Sequence, residues 1–146
     1  MKSLPGTYVL VLRSQVSATV RVGRWGVLPV LPGTYLYVGS AFGPGGVAAR
    51  VSRHCRATKS KHWHIDYLRE QTALESAWFS HAPERLEHRW ATSLGGSDGL
   101  QAIAGFGCSD CQCASHLFYA ADGLSPHALL SCLGAGVEVW ACNADS

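Results

Sequence analysis

The apolar and polar positions along the chain predict a run of short strands and helices. Thr7 to Arg13 reads as a strand, with Tyr8, Leu10 and Leu12 on one face and Val9 and Val11 on the other. Both faces are apolar, which predicts a central strand covered on both sides. Val16 to Val22 alternates Val16, Ala18, Val20 and Val22 with Ser17, Thr19 and Arg21, the pattern of a half-exposed strand. Pro32-Gly33 marks a turn before a third strand, Thr34 to Ser40. The loop Gly43-Pro44-Gly45-Gly46 leads into a helix predicted over about Val47 to Arg56. On that helix Arg50 and His54 share one side, and Val47 and Val51 share the adjacent one. His62 to Gln71 reads as a second helix with Trp63, Tyr67 and Leu68 on its apolar side. Its Asp66 falls on the polar side with Arg69 and Glu70, as if decorating a surface. Leu74 to Ser80 and Leu117 to Ala120 read as further strands. The tail from Ser125 reads as a short helix and then a weak strand near Val137 to Trp140.

A third helix is predicted from Glu84 to Leu94, opened by Pro83. At about 100° per residue, Leu86, Trp90, Leu94 and Ala91 define its apolar arc. Glu87 falls inside that arc, whereas Glu84, Arg85, His88, Arg89 and Ser93 fill the remaining sector. An inward carboxylate is costly without a partner. Glu87 therefore needs a cation, a hydrogen-bond donor or a raised pKa. A metal ion and an arginine across the core both satisfy that need.

Composition narrows the class. A chain of 146 residues, 47% hydrophobic and with five tryptophans, can build one real core. One domain over 1–146 is expected, with its core at 6–120 and an extension at 121–146. No stretch reaches the ~18 apolar residues of a membrane helix, and the apolar run Tyr8 to Leu12 is too short for a signal peptide. A soluble, cytoplasmic protein with no membrane partner is expected. The net charge of +2 conceals an asymmetry. Residues 1–65 hold nine Lys/Arg and no Asp/Glu, and residues 66–146 hold three and ten, so the halves carry +9 and −7. Five of the twelve cations are Arg50, Arg53, Arg56, Lys59 and Lys61. Such clustering suggests a cationic surface for nucleic acid, unless the two halves interleave in space and cancel.

The six cysteines are Cys55, Cys108, Cys111, Cys113, Cys132 and Cys142. In the absence of an export signal, reduced thiols are expected. Cys108, Cys111, Cys113 and His116 are residue types that zinc takes. Their spacing is compressed and no second knuckle follows, so structural zinc there is disfavoured.

The order of motifs carries more information than any one of them. Gly6-Thr7-Tyr8 lies on the first strand and Tyr37-Val38-Gly39 on the third. A basic helix with Arg50 and His54 follows, and an inward Glu87 comes later. In this order the chain resembles the GIY-YIG nuclease superfamily. His62-Trp63-His64-Ile65-Asp66-Tyr67 and the segment from Gly105 through Leu117 are similar to its Uri-type branch. The resemblance spans roughly residues 6–120. It implies an α/β domain with a small, mainly antiparallel central sheet flanked by helices. It further implies an endonuclease that hydrolyses phosphodiester bonds in nucleic acid, DNA being favoured, with one Mg²⁺ or Mn²⁺ ion on Glu87. By the same resemblance Tyr8 activates water, Tyr37 hydrogen-bonds within the cluster, and Arg50 binds the scissile phosphate. His54 orients the water or shares the base role. Arg53, Arg56, Lys59 and Lys61 are expected to contact the nucleic acid backbone. The family's late asparagine has no match here, and Ser115 or His116 stands near its place. His64, at the edge of an apolar arc, is either a satisfied core histidine or a support to the site. Two other readings compete: a non-catalytic nucleic-acid-binding module on the same fold, and a zinc-stabilised interaction domain.

Overall fold

The first strand, β1 (Gly6–Ser14), is buried along almost its whole length and lies inside the sheet. The computed structural model describes residues 1–56, 60–107, 115–121 and 125–142. After β1 come a hairpin of β2 (Ala18–Val22) and β3 (Gly26–Val30), then β4 (Gly33–Ala41), α1 (Gly46–Cys55), α2 (His64–Arg69) and β5 (Ala73–Ser80). The chain continues through α3 (Glu87–Gly95), β6 (Leu100–Ala102), β7 (Leu117–Ala120), a 3₁₀ segment at Pro126–Leu133 and β8 (Glu138–Ala141). Six strands form one antiparallel sheet in the order β6-β7-β4-β1-β5-β8, and β2-β3 stands apart as a two-stranded ribbon. This is the mainly antiparallel α/β architecture expected from the sequence. No helix among the described residues is long and apolar enough to cross a membrane.

The period of two along β1 separates two cores. Tyr8, Leu10 and Leu12 face Val47 and Val51 of α1, Ile65 and Leu68 of α2, and Val22, Leu28 and Val30 of the hairpin. Val9 and Val11, with Leu36, Val38 and Trp78, face Trp90, Ala91 and Leu94 of α3 and Leu129 and Leu133 of the 3₁₀ segment. Helices thus cover both faces of the sheet.

Several boundaries differ from the pattern-based reading. The second strand begins at Ala18 rather than Val16, because the Ser14 side chain accepts from the Val16 amide in a tight turn. The unanticipated β3 contains Pro29; among the described residues it pairs with β2 alone, so a missing N–H is tolerated on its other side. The short β6 was also not anticipated. Helix α3 starts at Glu87 rather than Glu84, because the Leu86 N–H donates to Thr7 Oγ1 at 3.2 Å and the first helical bond is Trp90 N–H to Leu86 O. The tail is no appendage: β8 pairs with β5, and Leu129 and Leu133 close the second core.

Candidate functional site

The candidate cleft lies beside the end of the β4–β7 pairing. β7 pairs with β4 only as far as Leu117 opposite Tyr37. Among the described residues one further bond, Val38 N–H to His116 O at 2.9 Å, ends the contact. Beyond it Gly39 and Ser40 of β4 line an open notch of about 300 Å³. Tyr8 reaches this notch from β1 by crossing β4. Its cross-strand partner is Gly39, and a Cβ there would come within 2.5 Å of the Tyr8 ring and hydroxyl. The glycine is therefore what lets a phenol from the neighbouring strand lie over β4.

On the sheet face covered by α1, the Tyr8 hydroxyl lies 2.9 Å from His54 Nε2, and both residues are buried. Burial pushes the Tyr8 phenol pKa well up, outweighing the opposing pull of nearby Arg50. The phenol is held protonated and has a hydrogen to give to His54 Nε2 in the tautomer that leaves that nitrogen its lone pair. Arg50 Nη1 donates to the Ser40 carbonyl at 3.1 Å, and its guanidinium lies over the Trp63 ring with 4.5 Å from Cζ to the centroid. Tyr37 packs edge-on against His54 and Phe106 at 6.4 and 6.3 Å between ring centroids. Burial also drives its phenol well above its ordinary range, with Tyr8 and Glu87 adding to the shift.

Facing this wall, Glu87 projects from the first turn of α3. Its Oε2 is 3.3 Å from His116 Nδ1, and its Oε1 is 3.9 Å from His88 Nε2. The His116 backbone is fixed on both sides, by its N–H to Phe106 O and by its C=O from Val38 N–H. Glu87, His88 and His116 bring one ligand atom each to within 4.8 Å of one another and could hold a metal ion. Residues 7–137 match the family described as Domain of unknown function DUF123. The chain belongs to this family. No curated protein and no solved structure matches it.

In this DUF123 chain the family match extends past Ala120, in keeping with the structural role of the tail. Tyr8, Tyr37, Arg50, His54 and Glu87 all line one cleft. Two expectations about them change. Glu87 is not sunk in the core: its side chain keeps 25% of its exposure and turns into the cleft, beside histidines rather than an arginine. Among the described residues Tyr37 meets its neighbours by ring packing against His54 and Phe106 rather than by the expected hydrogen bond.

The supporting residues divide more sharply. Arg53 is bound to Asp66 through both terminal nitrogens at 2.8 and 2.9 Å, and its guanidinium lies 4.3 Å over Trp63. Asp66 is not surface decoration. It is buried and also accepts the backbone N–H groups of His62 and Trp63 at 2.7 and 2.9 Å. Burial alone would raise its pKa, but the bonds from Arg53, Trp63 and His62 bring it down to about 2. Lys61 pairs with Glu70 at 2.7 Å, and Arg56 is exposed just past α1. Lys59 lies outside the described residues. The acidic half of the chain thus neutralises part of the basic run, so the cationic surface is weaker than the residue count suggests.

His64 Nδ1 accepts the Gly107 N–H at 3.1 Å, and desolvation lowers its pKa, which keeps that lone pair available. This bond ties Gly107, which lines the cleft, to the start of α2. Ser115 closes a local turn on Leu117 N–H and C=O, whereas His116 lines the cleft. Cys108, Cys111 and Cys113 lie outside the described residues. Sequence reasoning missed His88 and Trp63 as cleft residues. The adjacent Glu87-His88 pair and the Trp63 set among cations were the available signals.

Proposed function

We propose that this cleft is the active site of a metal-dependent endonuclease of the GIY-YIG type, cleaving phosphodiester bonds in nucleic acid, with DNA favoured. The observation that carries the reading is the convergence of Tyr8, Tyr37, Arg50, His54 and Glu87, from two strands and two helices, on one cleft.

Each residue has a chemical task in this reading. Arg50, held by Ser40 O and Trp63, offers its remaining N–H donors to phosphate oxygens and offsets charge as it builds there. A buried phenol is a poor base, so Tyr8 acts as a relay. Water gives its proton to Tyr8 Oη while Tyr8 passes its own proton to His54 Nε2 along the 2.9 Å bond. His54 is then the terminal base. This revises the division of labour that the resemblance alone implies. Glu87, with His88 and His116 beside it, would hold the divalent ion, which when bound supplies positive charge for the phosphate and the leaving 3′ oxygen. Tyr37 packs against His54 and fixes the plane of its ring.

A purely binding module has no use for a buried Tyr8–His54 pair, and the pairing of Arg53 and Lys61 weakens its cationic surface. The deciding experiment incubates the protein with labelled single-stranded, duplex and branched DNA in Mg²⁺, Mn²⁺ or chelator. Cleavage of at least one substrate with metal, and none with chelator, is expected. Binding to all of them without cleavage under any metal would overturn the reading in favour of a binding module.

A further inference from the structure

The donor set around Glu87 is not that of an all-oxygen magnesium site. We propose that Glu87, His88 and His116 form one mixed carboxylate–imidazole site, selective for a transition-metal ion of the Co²⁺, Ni²⁺ or Zn²⁺ class over Mg²⁺. This rests on the reading that the cleft holds a divalent ion, and it names both the ligands and the ion class.

The geometry is the first support. Two ligand atoms that each sit about 2.0–2.2 Å from one ion lie no more than roughly 4.4 Å apart. The Glu87–His116 and Glu87–His88 separations of 3.3 and 3.9 Å fall inside that limit. The widest separation in the group, within 4.8 Å, closes with a small movement of one side chain. His88 can supply it: its side chain is 61% exposed at the mouth of the cleft, whereas that of His116 is only 3% exposed.

The second support is the way His116 is held. Its Nδ1 lies 3.3 Å from the Val38 carbonyl and 3.3 Å from Glu87 Oε2. The His116 side chain is almost fully buried and its backbone is hydrogen-bonded on both sides, so Nδ1, the atom within 3.3 Å of Glu87, stays aimed at the carboxylate as a ligand already in place. The third support is donor chemistry. Neutral imidazole favours borderline ions, while Mg²⁺ prefers hard oxygen and is reluctant to shed water. One carboxylate and two imidazoles leave coordination positions for water and a phosphate oxygen.

The test titrates untagged protein, without nucleic acid, with Co²⁺ and with Mg²⁺, following heat and, for Co²⁺, visible absorption. The expected result is one Co²⁺ per chain, bound at least about 100-fold more tightly than Mg²⁺, with a ligand-field band. His88→Ala and His116→Asn should each weaken Co²⁺ binding at least about tenfold while leaving Mg²⁺ affinity within about twofold. His116→Asn keeps a polar side chain of similar reach, and unchanged circular dichroism and melting confirm that the fold survives. If wild-type protein binds the two ions equally, or if both histidine variants keep wild-type Co²⁺ affinity, the mixed site is overturned and Glu87 acts with water alone. Nuclease failure is separable. Co²⁺ binding as described without cleavage removes the nuclease reading and keeps this site. Cleavage supported by Mg²⁺ with no Co²⁺ preference does the reverse.

Discussion

The two walls of the cleft are built in different ways. The wall from β1, β4 and α1 is buried and cross-braced: Tyr8 to His54, Arg50 to Ser40 O, and Tyr37 against His54. The wall carrying Glu87 and His88 is partly exposed, and its helix start is tied to the sheet by the Leu86 N–H on Thr7 Oγ1. A rigid wall suits groups that must meet a proton or a phosphate within a few tenths of an ångström. A looser wall suits ligands that close around an ion. Substitutions on the loose wall should therefore remove function at little cost to stability, whereas those on the rigid wall should affect both.

The sharpest form of that contrast is Glu87→Ala. On the proposed function it should lower single-turnover cleavage by about 10³-fold or more, in line with loss of a group that stabilises transition-state charge. Stability should stay within about 0.5 kcal/mol, as for other partly exposed positions. Undiminished cleavage by the purified variant would remove Glu87 from the chemistry.

On the opposite wall, Tyr8→Phe and His54→Ala should each slow cleavage by about 10²–10³-fold, the range for proton transfer by a positioned side chain. If the two form one relay, the double variant is hardly slower than either single one. Fully multiplicative losses would show that they act independently. Arg50→Ala should lower kcat by about 100-fold at saturating substrate. Recovery of the rate at high substrate would instead make Arg50 a docking residue.

Arg50 and Arg53, three positions apart on α1, also show how much of the site could be read from the chain. Periodicity placed Arg50 with His54, and strand alternation placed Tyr8 on the same face as Leu10 and Leu12; both hold. The central β1, the positions of the main strands along the chain and the apolar face of α3 were legible for the same reason, since each is a local repeat. Arg53 was not legible. Its partner Asp66 looks exposed on a helical wheel and is buried only because residues 60–63 fold back over it. His88 was missed because adjacent helical positions project about 100° apart. Only at the first turn of α3, facing a cleft instead of a core, do Glu87 and His88 reach one point. β3 was obscured by Pro29, and the family resemblance, not the pattern, singled out Tyr37.

Asp66 gives a test of the rigid wall that needs no substrate. Its pKa of about 2 lies below the ordinary aspartate value near 3.8, so as pH falls the unfolded chain takes up the proton first. The stabilisation is fully present above about pH 5, declines as pH drops through 4, and is lost near 2. It amounts to about 2 kcal/mol. Denaturant midpoints measured from pH 6 to 2.5 should fall more steeply for the wild type than for Asp66→Asn, which starts lower. Parallel curves would mean that other carboxylates set the acid response.

Thr7→Val has the smallest expected effect and bears most directly on how the walls are joined. Thr7 and Tyr8 are neighbours on β1, so they face opposite sides of the sheet. Tyr8 supplies the rigid wall, while Thr7 Oγ1 accepts the Leu86 N–H and anchors the start of the helix that carries Glu87. Valine keeps the volume and strand preference but leaves that buried amide without its acceptor, at a cost of about 1–2 kcal/mol. Tyr8 is untouched, so on the proposed function its relay to His54 should keep its chemistry. The helix start is released, so metal affinity should weaken by a few fold. A variant that loses stability but keeps wild-type metal affinity would show that α3 is positioned by Trp90, Ala91 and Leu94 packing on the sheet alone. If both fall together, consecutive residues of a single strand set the spacing between the proton relay and the metal ligands.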